Sequence, residues 1–171
     1  GEQTSSDNTQ KDENVNTEWA NVETQYQRRA DLIPNLVNTV KGYAAHESET
    51  LESVIAARSK ATQITIDPAN LTPEKLAEYQ EAQGAVTSAL GKLLAISESY
   101  PDLKANQNFL ELQAQLEGTE NRINEARRKF NNVAKEYNTA IRRFPKRLLA
   151  GMFGFDKRAY FDAAGGAQNA D

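Results

Sequence analysis

The sequence predicts an all-α protein, an elongated antiparallel up-and-down bundle of three long helices. Two observations carry that prediction. Only 5 prolines and 9 glycines interrupt 171 residues that are otherwise rich in Ala, Glu, Gln, Asn and Leu. Apolar residues also recur alternately three and four positions apart over three long runs, the seam of a left-handed bundle. Period-two alternation never persists for more than a few residues, which removes a strand reading.

The first seam runs Val15, Trp19, Val22, Tyr26, Arg29, Ile33, Leu36, Val40, Tyr43, Glu47, Thr50, Val54, Arg58 and Ala61. It passes through Pro34, where a helix loses a backbone donor and meets a steric clash worth roughly 3 kcal/mol. Two options follow: a kink within one helix of ~50 residues, roughly 75 Å long at 1.5 Å per residue, or a break that makes four helical segments. The unbroken spacing favours the kink. Residues 64–73, ITIDPANLTP, form a clear interruption. Thr72, Pro73 and Glu74 then supply a capping hydroxyl, a proline in the first turn and an acid at the positive dipole end.

The second helix is expected from about Pro73 to Ser97, with Leu76, Tyr79, Gln83, Val86, Leu90, Leu93 and Ile96 inward and small residues (Ala82, Gly84, Ala85, Ala89, Gly91) allowing close approach. The third is expected from about Asp102 to Phe144 on the seam Phe109, Leu112, Leu116, Thr119, Ile123, Ala126, Phe130, Val133, Tyr137, Ala140 and Phe144. Pro145 ends it. Residues 1–11 are polar and aperiodic and read as a disordered lead-in. Residues 12–162 make the bundle with an aromatic and basic C-terminal segment, and 163–171 read as a disordered tail.

Charge is unevenly distributed. Residues 1–121 hold 9 Lys and Arg against 19 Asp and Glu, whereas residues 122–158 hold 11 against 3. The basic third either neutralises the acidic arm it packs against or suits an anionic surface. Arg142, Arg143, Lys146, Arg147, Phe153 and Phe155 are the candidate contacts to a partner or to lipid.

Chemistry finds little support. Carboxylate-bridged metal bundles need Glu-x-x-His motifs, yet the one histidine is His46, with Tyr43 where the glutamate would stand. There is no cysteine. Neither a strained nucleophile elbow nor a glycine-rich phosphate loop is present. The aromatics between the basic residues of the third helix are seam residues, so nucleic acid is not expected as a partner. No metal or other cofactor is expected. The polar residues at seam positions need partners, because a buried unpaired charge costs several kcal/mol. A network of Arg28, Arg29, Asp31, Glu47 and Glu120 is expected, joining the arginines to Glu120 or to a carbonyl released by Pro34.

Several blocks together resemble the LemA family: Trp19 with QYQRRADLIPNLV at 25–37, VKGYAAHE at 40–47, AR at 57–58, SYPDLKANQNFLELQAQLEGTENRI at 99–123, then AR at 126–127, Asn132, YNTAIRRFP at 137–145 and GFDKRAYF at 154–161. The resemblance implies a four-helix up-and-down bundle on a single N-terminal transmembrane helix, placing the bulk outside the cytoplasm at a bacterial cell membrane. That anchor is expected to precede residue 1, since the chain starts at a Gly without Met and no run of about 20 apolar residues occurs in it. No catalytic residues carry over. The function expected is that of a non-enzymatic scaffold or adaptor contacting an envelope protein. The alternative is a lipid-surface or anionic-ligand module using the basic third helix and aromatic tail.

Overall fold

A computed structural model describes residues 2–67 and 72–142, with side chains over residues 13–67 and 72–136. Among these residues the regular structure is helical: α1 (Glu2–Lys41), α2 (Ser48–Gln63), α3 (Pro73–Ile96), a 3-10 turn (Ser97–Ser99), the single turn α4 (Pro101–Lys104) and α5 (Gln107–Arg142). No strand is present among the described residues.

The first seam does break, but not where proline predicts. The helix continues through Pro34 and ends at Lys41. Residues 42–47 form consecutive turns, in which the Tyr43 and Ala44 amides both donate to the Val40 carbonyl (3.0 and 2.8 Å) and Glu47 donates to Ala44 (3.0 Å). Gly42 is the weakest helix former in this stretch after proline, by about 1 kcal/mol relative to Ala. The turn buries Ala44 and leaves Tyr43 42% exposed. Tyr43 is therefore corrected from a seam position to a surface one. Its hydroxyl accepts from Asn106 Nδ2 at 2.9 Å.

Two boundaries also differ from the expectation. Helix α1 begins at Glu2 rather than near Asp12; once a helix is nucleated, a run without Gly or Pro gives it no reason to stop. The third helix does not begin at Asp102. A one-turn α4 ends at Lys104, and Asn106 Oδ1 accepts the Phe109 amide (2.9 Å) to start α5. The start of α3 follows the expected chemistry, with Thr72 Oγ1 accepting from the Lys75 amide at 3.2 Å. Of its small residues, Ala82 and Ala89 are buried while Ala85 and Gly91 are exposed.

Contacts fix the helix directions. Thr39 meets Asn108, Arg29 meets Glu120, and Trp19 meets Phe130, so α1 and α5 run antiparallel. Trp19 and Tyr26 meet Tyr79, and Arg29 meets Gln83 and Thr87, so α1 and α3 run in the same sense. Two apolar clusters form the core. One contains Ile33, Leu36, Val40, Val54, Val86, Leu93, Phe109 and Leu116. The other contains Val15, Trp19, Tyr26, Leu76, Tyr79, Ile123 and Phe130.

Candidate functional site

Between the two clusters lies a polar layer, to which each of the four longer helices contributes. On α1, Arg29 follows Tyr26 of one cluster and precedes Ile33 of the other. On α3, Gln83 sits between Tyr79 and Val86, and on α5, Thr119 and Glu120 sit between Leu116 and Ile123; α2 packs on one cluster only, with Arg58 between its members Val54 and Ala61, and reaches the layer through its bond to Ala30. The polar residue replaces an apolar one at a single level of the bundle.

Arg29 is the centre of the layer and is 1% exposed. Its Nη1 donates to Thr87 Oγ1 (2.7 Å) and to Glu120 Oε1 (3.1 Å). Its Nη2 donates to the Gln83 backbone carbonyl (2.8 Å) and side-chain Oε1 (2.9 Å). The guanidinium carbon lies 5.0 Å from the centroid of the Tyr26 ring, a cation–π contact. Its buried Nε has no acceptor. A guanidinium suits this place because its planar fork serves several acceptors at once.

Arg58 completes the layer from α2. Its Nε donates to the Ala30 carbonyl at 2.8 Å. That carbonyl is the one that position 34, four residues on, would bond in an uninterrupted helix, and proline has no N–H to give. An arginine from the next helix thus supplies the missing donor. Pro34 itself is exposed, so its ring stays out of the core.

Below the layer, aromatic rings pack edge-on or tilted, with Trp19 5.1 Å from Tyr79 and 5.3 Å from Phe130, and Tyr26 5.6 Å from Tyr79. Burial pushes the Tyr79 hydroxyl well above the usual phenol range, reinforced by the nearby Glu23 carboxylate, while Gln83 bonds to it. Burial also raises Glu23 above the ordinary carboxylate value, opposed by the nearby Trp19 indole. Glu23, Tyr79, Gln83, Arg29 and Arg58 share a cleft of about 370 Å³ between α1, α2 and α3, whose apolar lining includes Ile33, Ala61, Ile64 and Val86. A smaller cleft of about 110 Å³ lies on the other side of Arg29, between α1, α3 and α5.

Of the network residues expected from sequence, the structure brings Arg29 and Glu120 together and leaves the others elsewhere. Arg28 is exposed. Asp31 is exposed and accepts from Gln27 Nε2 at 2.8 Å within its own helix. Glu47 lies at the α1–α2 turn and accepts from the Tyr100 hydroxyl at 3.4 Å. The released carbonyl is taken by Arg58, not by Arg28 or Arg29. Arg142 closes α5; Arg143, Lys146, Arg147, Phe153 and Phe155 lie outside the described residues. Thr87 and Glu23 were missed because neither falls on a seam. Arg58 carried a signal: it is a polar seam residue on the helix following a proline-containing one. No group of three or more His, Cys, Asp and Glu able to hold a metal occurs among the described residues.

These features define a class: an all-helical bundle with a buried arginine bonded across its helices. The model of the LemA family matches residues 18–171, and the chain belongs to the LemA family. It is 28% identical over 166 residues to the magnetosome protein MamQ of Magnetospirillum gryphiswaldense, covering 87% of this chain and 61% of that protein. It is 26% identical over 166 residues to magnetosome protein MamQ 2 of Paramagnetospirillum magneticum, with the same coverage of 87% and 61%. Protein LemA of Metamycoplasma hominis is 29% identical over 137 residues, covering 80% of this chain and 58% of that protein. The chain thus spans about three fifths of the length of these curated relatives. Among the described residues, no helix is long and apolar enough to cross a membrane.

Proposed function

We propose that this chain is the body of a non-enzymatic scaffold or adaptor at the bacterial envelope, working through contacts with other proteins. One observation carries the reading: among the described residues the buried charge, Arg29, is bonded to α3 and α5, and Arg58 bonds α2 to α1 beside it. Arg29 has both terminal nitrogens bonded within the protein, as a residue fixing helix register does. The proposal includes an up-down-up-down order for α1, α2, α3 and α5, supported by the antiparallel pairs of α1 with α5. It also includes an N-terminal membrane anchor preceding this chain, supported by family membership. Crosslinking of the full-length protein in cells, followed by partner identification, tests it. Recovery of discrete envelope proteins is expected; recovery of none above an uncrosslinked control counts against it.

A second reading, contact with an anionic lipid surface, is favoured by the helix order. Because Phe130 of α5 lies against Trp19 of α1, the basic end of α5 points the same way as the start of the chain. An anchor ahead of α1 would place Arg127, Arg128, Lys129 and Lys135 on the membrane side. Flotation with anionic and neutral vesicles tests it: binding confined to anionic vesicles supports lipid contact, and equal failure with both removes it.

A further inference from the structure

The larger cleft, between α1, α2 and α3, is lined by both arginines of the polar layer, whose donors the layer does not exhaust. Arg29 lines it and is buried, with Nε lacking an acceptor. Arg58 lines it too; its Nε is bonded to the Ala30 carbonyl, and neither terminal nitrogen has a partner among the described residues. The Arg58 guanidinium therefore gives the cleft a cationic edge with donors to spare, next to the buried charge of Arg29. Ile33, Ala61, Ile64 and Val86 give the wall an apolar part, beside the polar Thr24, Gln27, Thr62 and Gln83. Its one anionic member is Glu23, which stands about two helical turns before Ala30 on α1.

We propose that this cleft binds a carboxylate carried on a compact, partly apolar body, with the Arg58 guanidinium as its donor and the buried charge of Arg29 behind it. A planar guanidinium edge matches the two oxygens of a carboxylate. The volume of about 370 Å³, at about 30 Å³ per water-sized unit, holds on the order of a dozen non-hydrogen atoms. That is within the range of small-molecule sites. Glu23 sets the polarity: the carboxylate lies at the Arg58 end, and the body runs along the apolar part of the wall. A free small carboxylic acid and the C-terminus of a peptide share this chemistry.

Calorimetric titration of the purified chain with octanoate, with N-acetylleucine and with uncharged octanol separates these sources and tests the site. Saturable one-site binding by at least one carboxylate is expected, with Kd below about 1 mM and octanol weaker by about tenfold or more. Octanoate alone binding assigns a free acid; N-acetylleucine alone, or both, admits a peptide terminus. Arg58→Gln should weaken binding about tenfold by removing the charge-assisted pair. Because Arg58 also supports α1, Thr62→Trp provides an independent check: Thr62 is exposed at the edge of the cleft, and a large side chain there blocks entry without touching the core. It should abolish binding while leaving a cooperative thermal melt. The proposal is overturned if octanol binds as tightly as the carboxylates, if Thr62→Trp folds and binds like the wild type, or if neither carboxylate saturates by about 10 mM.

Discussion

Arg29 is a charge placed where the bundle would otherwise hold a leucine, and its surroundings determine what its removal costs. Glu120, its ionic partner, is 33% exposed, so it can return to water when Arg29 is lost. Arg29 cannot. Glu120→Ala should therefore destabilise the protein by roughly 3–5 kcal/mol, because it leaves a buried guanidinium without its counter-charge, and Arg29→Met by less, roughly 1–3 kcal/mol, because it strands only the neutral acceptors of Gln83 and Thr87. Urea unfolding curves of the two variants check the order. Glu23 gives a pH-dependent counterpart. Burial raises it above 4.5, so the folded chain holds this proton more firmly than the unfolded chain does. The linkage sign follows: stability is greatest when Glu23 is protonated and falls as pH rises through its folded value. Glu23→Gln should melt at a higher temperature than the wild type near neutral pH, and the gap should close towards about pH 4. A gap that widens on acidification would contradict burial as the dominant influence.

At the scale of the element, α1 is a helix that tolerates a proline because its neighbour repairs the damage. Pro34→Ala should stabilise the chain by about 1 kcal/mol or more, since the restored amide can bond the Ala30 carbonyl. Arg58→Ala should cost about 1–2 kcal/mol in the wild type and about 1 kcal/mol less alongside Pro34→Ala, a coupling that a double-mutant cycle reads directly. No coupling would mean that Arg58 does not compensate for the proline. The same element shows how far sequence reasoning reached. Seam spacing placed Trp19, Tyr26, Ile33 and Val40 correctly in the core, and Thr72 correctly at a cap. Spacing failed at Tyr43 because a three-four alternation can be threaded through a turn: Glu47, Thr50 and Val54 lie at the right intervals whether or not the helix is continuous. The modest helix penalty of Gly42 gave the better signal, and the larger one of Pro34 the worse. What cannot be read along one strand of sequence is the compensation between helices, and Arg58 belongs to that category.

For the whole molecule, the helix order determines which charges face which way. If the anchor precedes α1, the basic end of α5 approaches the membrane, and binding to anionic vesicles should weaken steeply between about 50 and 300 mM salt as screening shortens below about 10 Å. The expectation that Arg29 meets Glu120 was legible because Arg29 stands at a seam position that needs a counter-charge and Glu120 adjoins the polar seam residue Thr119. That they mark one level shared by α1, α2, α3 and α5 was not, since the level depends on where each helix starts. The central claim is that this layer fixes the register of the bundle. The most direct test is the amide proton–nitrogen NMR spectrum of a variant whose layer is apolar, Arg29→Met with Gln83→Leu, Thr87→Val and Glu120→Leu. Helix content should persist, because burying apolar groups in place of a charged network is often neutral or favourable for stability. The spectrum should lose its single set of sharp resonances and show multiple or broadened ones, as the two apolar clusters merge and the helices slide. A single sharp set with the wild-type pattern of dispersion would contradict the claim.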